Sequence, residues 1–195
     1  IGRHNVYNAL AAIGACIAMK IAVPVIQSAL KHMTPVPGRL EAISAGQPFA
    51  VFVDYAHTDD ALQNVLGTLR ELTSQRVLLA FGCGGNRDAG KRAKMGAVAA
   101  QLADNTIITS DNPRRESHVA IATQIEGGYR TVRADGYQVE LDRRRAIDEI
   151  IRAARPGDIV LIAGKGHETY QEFEDTVAPF DDRVYARETL ESLSL

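Results

Sequence analysis

Four consecutive residues, Asp111-Asn112-Pro113-Arg114, carry the functional groups needed to hold a small zwitterion. The Asn112 amide offers both a donor and an acceptor, and the Arg114 guanidinium is a planar fork matched to a carboxylate. They follow the β-branched apolar run Thr106–Thr109, which reads as a buried strand. Pro113 stops that strand, fixes its own φ and pushes Asn112 into an extended conformation. The expected product is a stiff loop at the carboxyl end of a strand, suited to an amino acid.

Three further loops carry unusual chemistry. Gly82-Cys83-Gly84-Gly85-Asn86-Arg87-Asp88 lets backbone approach a ligand closely, because glycines impose no Cβ clash. It lacks the Gly-Lys-Ser/Thr of a phosphate loop, and Arg87 stands where a dinucleotide fingerprint needs its third glycine. Arg87, Lys91 and Arg92 make the following helix start cationic, against its macrodipole. An anionic ligand there would resolve the conflict; the plainer alternative is a solvated basic face over Lys91, Arg92 and Lys94. In Gly164-Lys165-Gly166-His167-Glu168, Glu168 is a candidate acceptor for an ammonium, the counterpart of Arg114. Asp54 ends an apolar strand, where a carboxylate suits a ribose hydroxyl or a metal. His57 stands close enough to assist, or to cap the helix near Thr58.

These loops need a frame that brings them together. From about Gly38 onward, β-rich runs at Phe49–Val53, Val77–Phe81, Thr106–Thr109, Tyr137–Leu141 and Ile159–Ala163 alternate with helical patterns. The helices read as Asp60–Leu72, Lys91–Leu102, His118–Glu126 and Arg143–Ala154, the last stopped by Pro156-Gly157. A weaker strand near Phe173–Val177 precedes a helix at about Asp182–Leu193. Strict βα alternation predicts an α/β fold, a mostly parallel sheet of about six strands flanked by helices on both faces. In such sheets ligands bind beyond the strands' carboxyl ends, so all four loops should share one edge. Ahead of this region lie two helical stretches, Val6–Lys20 and Pro24–His32, then linker punctuation at Pro35, Pro37 and Gly38. The division is therefore expected at residues 1–36 and 37–195.

The 195 residues are 46% apolar and 24% charged, with a net charge of -2, so neither nucleic acid nor an anionic membrane surface is an expected partner. The apolar run Val6–Met19 falls short of the roughly 20 residues that span a bilayer, and reads as a buried helix that packs on a neighbour. The two cysteines, Cys16 and Cys83, have no metal spacing and suit a reducing cytoplasm as free thiols. No charged-then-apolar signal segment opens the chain, and a start at Ile1 in place of Met suits either a processed chain or a piece of something longer.

Together these motifs resemble the Mur ligases, in particular the branch that adds meso-diaminopimelate. Asp111–Arg114 resembles that branch's amino-acid signature, and Gly82–Arg87, Gly90-Lys91-Arg92 and Gly164–Glu168 resemble other carboxyl-terminal motifs of the family. Gly2-Arg3-His4-Asn5-Val6-Tyr7-Asn8-Ala9-Leu10 resembles the end of its central ATPase domain, and Pro37-Gly38-Arg39-Leu40-Glu41 the junction that follows. Asp59 and Ala93 stand where the family usually has proline.

The resemblance implies a Rossmann-like carboxyl-terminal domain preceded by a short helical tail of the ATPase domain. It implies that Arg87, Asn112, Arg114, Gly164 and Glu168 bind meso-diaminopimelate, with Asp111 and Pro113 shaping the loop. It also implies an ATP site with Asn5 and Asn8 near the adenine, Arg39 near the phosphates, and Asp54 and His57 at the ribose. The implied reaction uses ATP and Mg2+ to activate the glutamate carboxylate of UDP-MurNAc-L-Ala-D-Glu, which the diaminopimelate amine then attacks. No Gly-x-x-Gly-Lys-Thr/Ser loop occurs in the chain. The uridine-nucleotide domain and most of the ATPase domain are thus expected elsewhere, and the isolated chain should neither hold a nucleotide tightly nor turn over. A hinge is expected near Val36–Gly38. The competing readings are a non-catalytic amino-acid-binding module and a nicotinamide-dependent oxidoreductase, the latter resting on the glycine-rich loop alone.

Overall fold

The computed structural model describes residues 3–34 and 36–193. It separates into two compact units, Ile1–Val36 and Pro37–Leu195. Pro35 lies outside the described residues.

The first unit is a pair of helices, α1 (Arg3–Ala18) and α2 (Val23–Lys31), the second opened by Pro24 in its first turn. The apolar run forms a helix, but it is not buried: Val6, Tyr7, Leu10, Ile17 and Met19 are all more than half exposed. Two helices offer each other one contact stripe, too little to cover a helix that is apolar all round.

The second unit is a three-layer α/β domain. Its elements are β1 (Glu41–Ile43), β2 (Ala50–Asp54), α3 (Asp59–Leu72), β3 (Val77–Phe81), α4 (Gly90–Leu102), β4 (Asn105–Ile108), α5 (His118–Arg130), β5 (Tyr137–Val139), α6 (Arg143–Arg152), β6 (Ile159–Ala163), β7 (Tyr170–Phe173), β8 (Thr176–Pro179) and α7 (Asp182–Ser192). The sheet order is β1-β2-β6-β3-β4-β5, and every pairing is parallel except β1 with β2. Period-2 alternation sorts the strand residues. Phe52, Leu79, Phe81 and Leu161 pack under α3, α4 and α5, while Val53, Leu78, Ala80, Val160 and Ile162 pack under α6 and α7. Both faces are covered, so β3 and β6 read as unbroken apolar runs.

Two expectations need correction. The sheet's sixth strand is not Phe173–Val177. That run is broken by a tight turn at Glu174, whose φ is 49°, and forms the separate β7–β8 hairpin. The sixth strand is β1, three residues long, with only Ile43 buried, which leaves no alternation to read. Helix α5 also continues past Glu126 through Gly127-Gly128 to Arg130. Gly128 is no stop signal here: a Cβ on it would lie 1.9 Å from Ala93 O, and one on Gly96 would lie 2.0 Å from Ile125 O. The two glycines let α4 and α5 touch backbone to backbone.

The strand register decides where the chemistry lies. Asp54 pairs with Ala163, Ala163 with Phe81, and Phe81 with Ile108, so β2, β6, β3 and β4 end flush. The four loops that follow leave from one edge. β6, late in sequence, sits between β2 and β3, and the strand order reverses there. That reversal opens the crevice in which α/β sheets bind ligands.

Candidate functional site

The glycine-rich loop lies directly against the Asp111 loop. A Cβ on Gly82 would meet Thr109 O at 2.1 Å and one on Gly85 would meet Pro113 O at 1.9 Å. Gly85 N donates to Asn112 O at 2.9 Å. These glycines therefore serve close contact between two loops. Gly84 is flanked by both candidate arginines, with its Cβ position 3.1 Å from Arg114 Nη1 and 3.8 Å from Arg87 Cγ. Arg87 is exposed and its Nη1 donates to Asn86 O at 3.4 Å.

Arg114 has a left-handed backbone, φ 53°, a conformation that costs a non-glycine residue about 1–3 kcal/mol. The β7–β8 hairpin holds it there: Arg114 N donates to Glu172 O at 3.0 Å and Glu174 N donates to Arg114 O at 2.7 Å. Its guanidinium is already partly engaged, with Nε 2.9 Å from Glu172 Oε2 and Nη1 2.9 Å from Gly85 O.

Lys165 occupies the centre, with a fully buried side chain. Its Nζ lies 3.0 Å from Asn112 Oδ1, 3.3 Å from Glu168 Oε2 and 3.8 Å from Asp111 Oδ1, over the Tyr170 ring at 5.4 Å. Asn112 Oδ1 accepts a second bond from Glu172 N at 3.1 Å, and Nδ2 donates to Glu168 Oε2 at 2.9 Å. Glu168 thus accepts from two groups of the chain itself, the Lys165 ammonium and the Asn112 amide. Gly164, φ 115°, must be glycine: a Cβ there would lie 2.8 Å from Asp111 Oδ2. Asp111 is buried, and burial pushes its carboxyl above the usual range against the pull of Arg143 and Lys165.

A buried pair on the α6–α7 side steadies the same strand ends. Arg143 opens α6 and Asp182 opens α7, and both side chains are fully buried. Arg143 Nε and Nη2 meet the Asp182 carboxylate at 2.7 and 2.8 Å. Its Nη1 donates to Ser110 O at 3.2 Å and Nη2 to Ala163 O at 3.0 Å. Those carbonyls belong to the residues immediately before Asp111 and Gly164.

Beside this centre, Asp54 spends its carboxylate on backbone, accepting from Leu40 N at 2.7 Å and Ala56 N at 2.8 Å. That ties the Arg39 segment to the end of β2. Arg39 lies over the Tyr55 ring at 4.8 Å, and Tyr55 stacks against His57 and His167. Burial raises the Tyr55 phenol, with Glu168 and Asp111 adding to it. His57 does not cap α3; Thr58 does, and His57 Nδ1 pairs with Tyr55 O at 2.8 Å. Gly38, φ 67°, presses on the Gly166–His167 backbone and belongs firmly to this unit. Arg39, Asp54 and His57 thus come together, while Asn5 and Asn8 sit one turn apart on α1 in the other unit.

The basic helix start also needs correction. Arg92 is not a solvated cation: it is 1% exposed. Its Nη1 meets Glu116 at 2.9 Å and Gln124 at 2.9 Å, and Nη2 reaches Gly84 O at 3.3 Å. Glu116 in turn accepts from Asn86 N, so the pair clamps the glycine-rich loop. Lys91 Nζ donates to His57 O at 2.6 Å, and Lys94 is exposed. The hydrogen bond from Arg92, helped by that from Asn86 N, holds the Glu116 carboxyl below its ordinary value. A depressed carboxyl favours the folded loop above the ordinary glutamate pKa, and the benefit disappears as pH falls through the depressed value. Carbon-13 titration of Glu116 is expected below the free-glutamate value, and nearer to it in Arg92→Met, where the bond from Asn86 N remains. An unchanged titration in that variant would refute the clamp.

The model of the Mur ligase, glutamate ligase domain, matches residues 38–166. The UDP-N-acetylmuramoyl-L-alanyl-D-glutamate–2,6-diaminopimelate ligase of Syntrophomonas wolfei is 50% identical over 190 residues, 97% of this chain and 39% of that protein. The chain belongs to the Mur ligase family. A ligase of the same description from Solibacter usitatus is 49% identical over 97% of this chain and 38% of its own length. A solved structure of such a ligase superposes with a TM-score of 0.75 at 38% identity, over 98% of this chain and 39% of that one. The chain thus spans about two-fifths of the relatives it matches. The UDP-N-acetylmuramate-alanine ligase of Thermotoga maritima, at 21% identity and a TM-score of 0.67 over 98% of this chain and 38% of that one, shares the fold.

Family membership replaces the oxidoreductase reading of the glycine-rich loop. Within this Mur ligase chain, several site residues carried no signal of their own. Arg143, Asp182, Glu172 and the clamp of Arg92 on Glu116 depend on contacts 24 to 60 positions apart. Lys165 and Tyr55 lay inside the motifs, but their central positions did not show. Burial raises the Cys83 thiol to about 12, which leaves it unreactive near neutrality.

Proposed function

We propose that this chain is the amino-acid-binding, carboxyl-terminal part of an ATP-dependent amide ligase that adds meso-diaminopimelate to UDP-MurNAc-L-Ala-D-Glu in peptidoglycan synthesis. The observation that carries the reading is the single edge on which Arg87 and Arg114 flank Gly84 while Asn112 and Glu168 meet at Lys165. Guanidinium and amide N–H groups suit the carboxylates of a diamino diacid, and Glu168 suits one of its ammonium groups. Gly164, Asp111 and Pro113 shape the walls. The chemical task is orientation: an amine held deprotonated beside an activated carbonyl gains on the order of 7–11 kcal/mol in favourable cases. Diaminopimelate has one carboxylate more than lysine, and a site built to hydrogen-bond it leaves polar groups unpaired when lysine binds.

ATP would meet the exposed Arg39 guanidinium over Tyr55, with Asp54 and His57 alongside. The first unit, residues 1–36, is proposed as the tail of the ATPase domain, with Asn5 and Asn8 on its first helix. Among the described residues no group of three His, Cys, Asp or Glu side chains could hold a metal ion, and Asp54 is committed to backbone amides. No helix among the described residues is long and apolar enough to cross a membrane, and a cytoplasmic location, where the nucleotide substrates are made, fits the proposal.

Calorimetry on the 195-residue protein tests the reading. Meso-diaminopimelate is expected to bind one to one, and L-lysine at least about 100-fold more weakly, since a lost charged contact leaves its partners unpaired. Equal isotherms for the two would overturn it.

A further inference from the structure

An asparagine in a binding site is ordinarily ambivalent, because its amide presents an acceptor on one side and two donors on the other. Asn112 is not. Its Oδ1 receives Lys165 Nζ at 3.0 Å and Glu172 N at 3.1 Å, which fills both lone pairs. Its Nδ2 gives one hydrogen to Glu168 at 2.9 Å. What remains for a ligand is the second Nδ2 hydrogen. Turning the amide over would set its NH2 against an ammonium and a backbone N–H, and its oxygen against a carboxylate.

We infer that Lys165 is a positioning residue that makes Asn112 a pure donor toward the ligand, and thereby selects a carboxylate at that point in the site. Lys165 is suited to this: its side chain has no solvent exposure, and the same ammonium meets Asn112 and Glu168. The Lys165 carbonyl also accepts from Glu168 N at 2.9 Å, which fixes the short turn between the two. The inference rests on the amino-acid-binding reading proposed above.

The test compares Lys165→Met, which removes the donor, with Lys165→Gln, whose amide still donates to Oδ1 without the charge. Isotherms for meso-diaminopimelate and L-lysine are measured on the 195-residue protein, with circular dichroism to check folding. Lys165→Met is expected to lower the preference for diaminopimelate over lysine by about tenfold or more, through loss of diaminopimelate affinity. Lys165→Gln is expected to keep the preference within about threefold of wild type, since it preserves the hydrogen bond. An equal loss for both ligands in Lys165→Met marks a merely structural lysine and overturns the inference, as does an unchanged preference. Should Lys165→Met fail to fold, Lys165→Gln decides alone: a retained preference supports the inference and a tenfold fall refutes it. A wild-type protein that binds diaminopimelate no better than lysine removes the amino-acid reading itself. A selective wild type with an equally selective Lys165→Met removes only the role given to Lys165.

Discussion

Asp182→Ala is expected to cost about 3–5 kcal/mol of folding stability, because it strands the buried Arg143 guanidinium without a counter-ion. Burial works against the charge on Arg143, and Asp182, with Asp111 and Glu168 adding to it, more than offsets it in the intact protein. Two short bonds, 2.7 and 2.8 Å, join α6 to α7 through this pair. Urea unfolding followed by circular dichroism measures the loss directly. The double variant Arg143→Met with Asp182→Leu should recover part of it, since apolar replacement of a buried pair is often close to neutral. Recovery should be incomplete, because Ser110 O and Ala163 O lose their donor. A loss below about 1 kcal/mol in the single variant would show that water or relaxation satisfies Arg143.

Arg114→Ala should weaken meso-diaminopimelate binding on the order of 100-fold, the scale of a lost charge-assisted contact, and should raise the KM of the intact ligase accordingly. The effect has two sources. The guanidinium is the group best matched to a carboxylate on this edge, and its present partners, Glu172 and Gly85 O, hold it pointed across Gly84. Folding should change little, because the left-handed backbone at Arg114 is held by hairpin hydrogen bonds that alanine keeps. An unchanged KM would reject a substrate role for Arg114 and leave it as a brace between the glycine-rich loop and β7.

Much of this architecture was legible beforehand. The βα alternation gave the parallel sheet, because runs such as Val77–Phe81 and Ile159–Ala163 are buried on both faces and stand out as unbroken apolar stretches between helical patterns. The four loops were recognisable by glycine and proline, whose backbone effects are local. Short or irregular pieces were not. β1 has three residues and one buried side chain, and the β7–β8 turn lies inside what looks like one β-rich run. The helix read as His118–Glu126 runs on through Gly127-Gly128, because a glycine's neighbours in space are invisible in its neighbours in sequence.

The sequence by itself determined the types of group at the site and the edge on which they fall, since both follow from local pattern and from the rule that crossover connections keep strands parallel. Only the tertiary structure decided how those groups are used. It showed that Glu168 already shares an ammonium, that Asp54 is occupied by backbone, that Arg92 is buried, and that Asn112 has a donor alone to offer. The physical reason is that each group's availability depends on its hydrogen-bond partners and burial, and those partners arrive from up to 60 residues away.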